Sequence, residues 1–186
     1  MQVTNFSTQD WLLFAANGSM LACCIFYICW WLNANKSGAY HPNSPALLFL
    51  TIAFGLVAVG LFIFGVSKSS AAFVPTWCIC VGSLALYILL FIISDKVFKR
   101  PTTSELLIMI VWLMGELCAL NVLYDERLNV AKSLVLLVLI FAEFVAGYIC
   151  YLKYYKLAGS AMVVDGTIPL AADGAVVLIF MILQMI

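Results

Sequence analysis

The chain has 186 residues, 66% of them hydrophobic and 10% charged, with a mean hydropathy of +1.12. Soluble domains run at about 45–50% apolar and about 25% charged, so this composition has too little polar surface to cover a water-soluble core. Nine basic residues balance nine acidic ones, which excludes the basic footprint of a nucleic-acid binder, and the one histidine, His41, excludes bis-histidine haem and multi-histidine zinc centres.

A spanning helix needs roughly 20 mostly apolar residues to cross a hydrocarbon core of about 30 Å. On that rule the sequence predicts an all-α, polytopic integral membrane protein with six transmembrane helices and short loops, forming one helical-bundle domain over residues 1–186. The first span is expected from Trp11 to Leu32. Met1 to Asp10 contains no Lys or Arg, so there is no basic n-region, and this segment reads as a helix that stays. Asn33 to Pro45, with Lys36, Gly38, Pro42 and Pro45, separates it from a second span, Ala46 to Val66. Gly55, Gly60 and Gly65 recur in that span at five-residue intervals, which spreads them around the helix and predicts no shared role.

Ser67 to Pro75 leads to the third span, Thr76 to Ile93, and Asp95 to Glu105, with Lys96, Lys99, Arg100 and Pro101, closes it. That basic cluster reads as a topology signal. The fourth and fifth spans, Leu106 to Tyr124 and Ser133 to Leu152, are joined by a polar hairpin at Asp125 to Asn129. The sixth is expected from Pro169 to Ile186, with Pro169 in its first turn and Asp173 near the positive end of its dipole. Asp165-Gly166 and Asp173-Gly174 are then explained by turn formation and capping.

Orientation follows the Lys and Arg of the short loops. Lys36, Lys96, Lys99, Arg100, Lys153 and Lys156 fall on one side, and Lys68, Arg127 and Lys132 on the other. This bias predicts both termini outside, in a cell (plasma) membrane, and in a eukaryotic host Asn5-Phe6-Ser7 would then be an exposed glycosylation sequon. Trp11, Trp30, Trp31, Trp77, Tyr151, Tyr154 and Tyr155 lie near span ends, where amphipathic side chains anchor at headgroups. The seven cysteines all fall in apolar segments and read as small hydrophobes; none has the spacing of a redox or zinc pair.

Ionisable groups within lipid are costly, by roughly 2.5–3.5 kcal/mol on insertion scales, so each is a site candidate. Glu116 and Glu143 sit at matching depth in spans joined by the hairpin, with no Lys or Arg beside them in their own spans. Trp112, Gly115, Glu116 and Ala119 share one helical face, and Glu143, Ala146, Gly147, Cys150 and Tyr151 share another. Small residues beside a polar group mark helix–helix interfaces in membranes, so the hairpin is expected to pack with both carboxyls inward, where they can share a proton. Asn17, Gly18 and Ser19 interrupt the first span. They either hydrogen-bond a neighbouring helix or unwind the chain to free carbonyls for a ligand. Asn121, one turn above Glu116, belongs to the same polar class.

These features predict a small transporter or channel. Glu116 and Glu143 would form a proton or cation site, with Asn17, Ser19 and Asn121 as polar lining, and no metal or cofactor. The expected surroundings are the lipid bilayer and a small solute, proton or cation, with a homo-oligomer as one state. A second reading is a non-catalytic subunit or assembly factor of a larger membrane complex. A lipid-modifying enzyme is third, because no nucleophile elbow, phosphate loop or Ser/His/Asp set is present; no nucleic-acid partner is expected.

Overall fold

The computed structural model describes residues 6–35, 44–68, 72–100, 104–124, 127–154 and 159–186. Lys36, His41, Pro42, Pro101, Asp125, Tyr155, Lys156 and the sequon's Asn5 lie outside the described residues. Those described form six α-helices: α1 Thr8–Ala34, α2 Pro45–Ser67, α3 Thr76–Lys96, α4 Ser104–Leu123, α5 Val130–Tyr154 and α6 Ser160–Met185. Each is long and apolar enough to cross a membrane.

The helix boundaries have local causes. Ser7 caps α1: its Oγ accepts from the Asp10 N–H at 3.1 Å, and Asp10 Oδ2 accepts from the Ser7 N–H at 2.8 Å. Such a box satisfies two of the donors that the first turn leaves open. Pro45 opens α2 in the first turn, where a missing N–H costs nothing.

The sixth helix corrects the sequence expectation. It starts at Ser160 rather than Pro169, and Pro169 lies inside it. An internal proline removes the hydrogen bond to the carbonyl four residues earlier, here Asp165, yet leaves the remaining ladder intact. The apolar run through Val163, Val164 and Ile168 continues the helix across that gap. Asp173 therefore sits in the middle of a helix, not in a first turn, and neither Asp-Gly pair forms a turn or cap.

Helix α1 packs against α2 and α6, α6 against α5, α5 against α4, and α4 back against α2. Five helices thus close a circuit, and α3 attaches mainly to α4. The main core lies inside the circuit, where Leu13 and Ala16 meet Phe62, Leu123, Ile140 and Phe180. A smaller cluster of Leu90, Leu106, Ile110 and Tyr151 ties α3 to α4 and α5.

Glycines set how closely the helices approach. A Cβ on Gly65 would lie 2.6 Å from Leu13 Cδ2, and one on Gly166 would lie 2.8 Å from the Trp31 indole. Both positions thus hold close approaches to α1, whereas the sequence reading assigned Gly65 no role. Gly174 faces Leu21 and Cys24, also on α1. At the far end of α1 the Trp31 indole N–H donates to the Val163 carbonyl at 3.2 Å.

The aromatic expectation divides. Trp11 and Trp77 are exposed near helix starts, but Trp30, Trp31 and Tyr151 are buried in helix contacts. The basic cluster divides as well. Arg100 turns inward over the Tyr151 ring at 4.1 Å, and Lys96 pairs with Asp95 on the surface. The outward faces of α2 and α3 are apolar, with Phe49, Leu56, Phe64 and Leu84 exposed, while Asn17, Ser94, Glu116 and Glu143 are buried. Polarity is inverted relative to a water-soluble bundle.

Candidate functional site

The centre of the circuit is built where α4, α5 and α6 meet. Small residues let them approach: a Cβ on Gly147 of α5 would lie 3.1 Å from Met109 of α4 and 3.7 Å from Pro169 of α6. On α4, Gly115 faces Phe62 of α2, which closes the site from that side. Glu116 is completely buried and Glu143 is 6% exposed. Their carboxyls lie within hydrogen-bonding reach of each other.

No donor reaches either oxygen of Glu116 or Oε2 of Glu143. The Trp112 indole lies beside Glu116, but its N–H is not aligned to make a bond. Two ionised carboxyls only accept, so they cannot bond to each other; one proton between them supplies the missing donor. Among the described residues no ion pair is made to either group.

A third carboxyl joins them. Asp173 of α6 lies within electrostatic reach of both glutamates. It is packed against protein yet partly open, because it lines a narrow cleft with Met109, Trp112, Glu143, Gly147 and Pro169. The cleft's free volume is about 20 Å³, enough for one water molecule. Cys24 of α1 faces the same three carboxyls.

Of the five residues expected from sequence, the structure brings Glu116 and Glu143 together. The other three stand apart from the cleft. Asn121 gives its amide to the connection between α2 and α3: the Val74 N–H donates to Asn121 Oδ1 and Asn121 Nδ2 donates to the Val74 carbonyl, each at 2.8 Å. Its expected lining role gives way to a clamp, because a side-chain amide matches one residue's backbone donor and acceptor. Asn17 is fully buried with neither amide atom hydrogen-bonded, and Ser19 is half-buried. Helix α1 runs unbroken through both, so the unwound alternative is not what forms.

A second polar group, missed in the sequence, lies at the end of the bundle. Asp10 Oδ2 accepts from Arg127 Nε at 3.0 Å and pairs with the same guanidinium at 2.9 Å. Gln184 of α6 donates to the Asp10 carbonyl at 3.0 Å, and Arg127 lies over the Phe6 ring at 4.8 Å. The start of α1, the α4–α5 connection and the end of α6 are thereby joined.

Comparison of the chain with family models, curated proteins and solved structures finds no match in any of the three.

Proposed function

We propose that the chain is a multi-pass membrane protein that works as a small transporter or channel, with the Glu116–Glu143 pair as its proton or cation site. One observation carries this: two carboxyls meet at the centre of the bundle, buried, with no cation beside them among the described residues and no donor on Glu116. Acidic side chains in spanning helices cost roughly 2.5–3.5 kcal/mol each on insertion scales. Packing alone needs no such groups, and apolar residues would fill the same space more stably.

The inverted polarity supports membrane integration, with lipid covering the outer faces of α2 and α3. An even number of spans puts both termini on one side, and the Lys and Arg bias favours the outside of a cell membrane. The test is ion flux in vesicles containing the purified chain. Replacing both glutamates by glutamine should abolish flux, and full flux in that variant would remove the mechanism.

A second reading, a non-catalytic subunit of a larger membrane complex, is favoured by α3. That helix has one main neighbour and presents Trp77, Leu84, Ile88 and Ile92 outward. Native mass spectrometry from the source membrane separates the two readings. Other chains at fixed stoichiometry would support the subunit, and a monomer or small homo-oligomer the transporter.

A further inference from the structure

We infer that the ion handled at this site is the proton itself, and that Asp173 is the group through which it reaches the Glu116–Glu143 pair. The inference rests on the transport reading above and narrows it.

Size comes first. The cleft beside Glu143 and Asp173 has room for one water, so neither a hydrated metal cation nor an organic solute fits. A bare hard cation needs about six or more oxygen ligands converging on one point. Among the described residues no three His, Cys, Asp or Glu side chains are grouped to hold a metal ion. A proton asks only for two oxygens at hydrogen-bond distance, which the two glutamates provide.

Access comes second. Asp173 and Glu143 line the cleft, Asp173 half-buried and Glu143 6% exposed, whereas Glu116 is completely buried and does not line it. Glu116 is thus a buried, donorless carboxyl behind two that line a water-sized space. Among the described residues, the titratable groups within electrostatic reach of this group of carboxyls are its own members from α4, α5 and α6 and Cys24 from α1, while α2 contributes Phe62. The transfer is simple to balance. The O–H bond of Asp173 breaks as its proton passes to a water taken up by the cleft. That water gives one of its own protons to Glu143, forming a new O–H bond. The water is regenerated, and one positive charge has moved inward.

The experiment uses the full chain in vesicles of phosphatidylcholine and phosphatidylglycerol, with a pH-sensitive dye inside and the potential set by potassium and valinomycin. A sodium tracer, which valinomycin does not carry, is followed in parallel. The expected result is dye acidification without tracer uptake, reduced about tenfold or more by Asp173→Asn and restored by Asp173→Glu. Tracer uptake without acidification would overturn the proton assignment and leave the transport reading standing. Unchanged proton flux in Asp173→Asn would overturn the role of Asp173 alone. No flux of any ion from the wild-type chain would remove the transport reading itself. Infrared difference spectra in H₂O and D₂O supply a readout independent of flux. A protonated-carboxyl band that shifts on exchange and is lost in Asp173→Asn supports the assignment, and a band unaltered by that substitution counts against it.

Discussion

Asp10 and Glu116 are both buried acids, 2% and 0% exposed, and they are treated in opposite ways. Asp10 Oδ2 takes hydrogen bonds from the Ser7 backbone, the Ser7 hydroxyl and Arg127. Glu116 receives none and faces another carboxyl instead. A charge supplied with donors and a counter-charge holds elements together, and removing one partner leaves the other stranded. A carboxyl left without donors contributes little to stability and keeps its chemistry free. Burial alone therefore does not separate a clasp from a working site; the set of partners does.

The contrast can be broken from either end. The largest effect is expected on transport: Glu116→Gln with Glu143→Gln should lower flux by roughly a hundredfold. The thermal midpoint of the purified protein should stay unchanged or rise, because two neutral amides can hydrogen-bond each other without a shared proton. Asp10→Ala should do the reverse. It removes the acid of the capping box and the ion-pair partner of Arg127, with an expected loss of about 3 kcal/mol in denaturant unfolding and flux per folded molecule retained. Should Asp10→Ala abolish flux while leaving stability intact, the two regions would have exchanged roles.

Smaller effects sharpen the same division. Gly166→Ala drives a methyl into the Trp31 indole, at a cost of about 1–3 kcal/mol. Gly60→Ala meets nothing within 4 Å and should be neutral or stabilising by up to about 1 kcal/mol. Melting curves of the pair in one detergent test both. Asn121→Ala should cost about 1–2 kcal/mol by releasing the Val74 backbone. Its flux should remain at the wild-type level, and a collapse of flux there would return Asn121 to the site.

Much of this architecture is legible in the sequence. Apolar runs of spanning length between polar breaks, three of them proline-bearing, locate five helices to within a few residues, because composition alone dictates them. The meeting of Glu116 and Glu143 follows from their matched distance from one hairpin. Asp173 is hidden by a local rule, the preference of proline for the first turn, which loses to a continuous apolar run on both sides of Pro169. The Asp10–Arg127 pair is hidden for another reason: its partners lie 117 positions apart, and no periodicity reports a contact at that range. The glycines are ambiguous for a related reason. Gly60 and Gly65 look alike in the sequence, and only the helix opposite decides that Gly65 must stay small.

The closure between α1 and α6 bears on how the molecule is made. Synthesis delivers α1 well before α6, yet α1 packs directly against α6. Gln184 binds the Asp10 carbonyl across 174 positions, and Trp31 binds Val163 across 132. Until α6 emerges, α2 is the one main neighbour of α1. The nascent chain is then an open arc with the α6-facing side of α1, Gly18 included, uncovered, and the 26-residue α6 is the piece that closes the circuit. Chains truncated before Ser160 should accordingly melt below the full chain in one detergent, and an unchanged midpoint would show that α1 does not depend on α6.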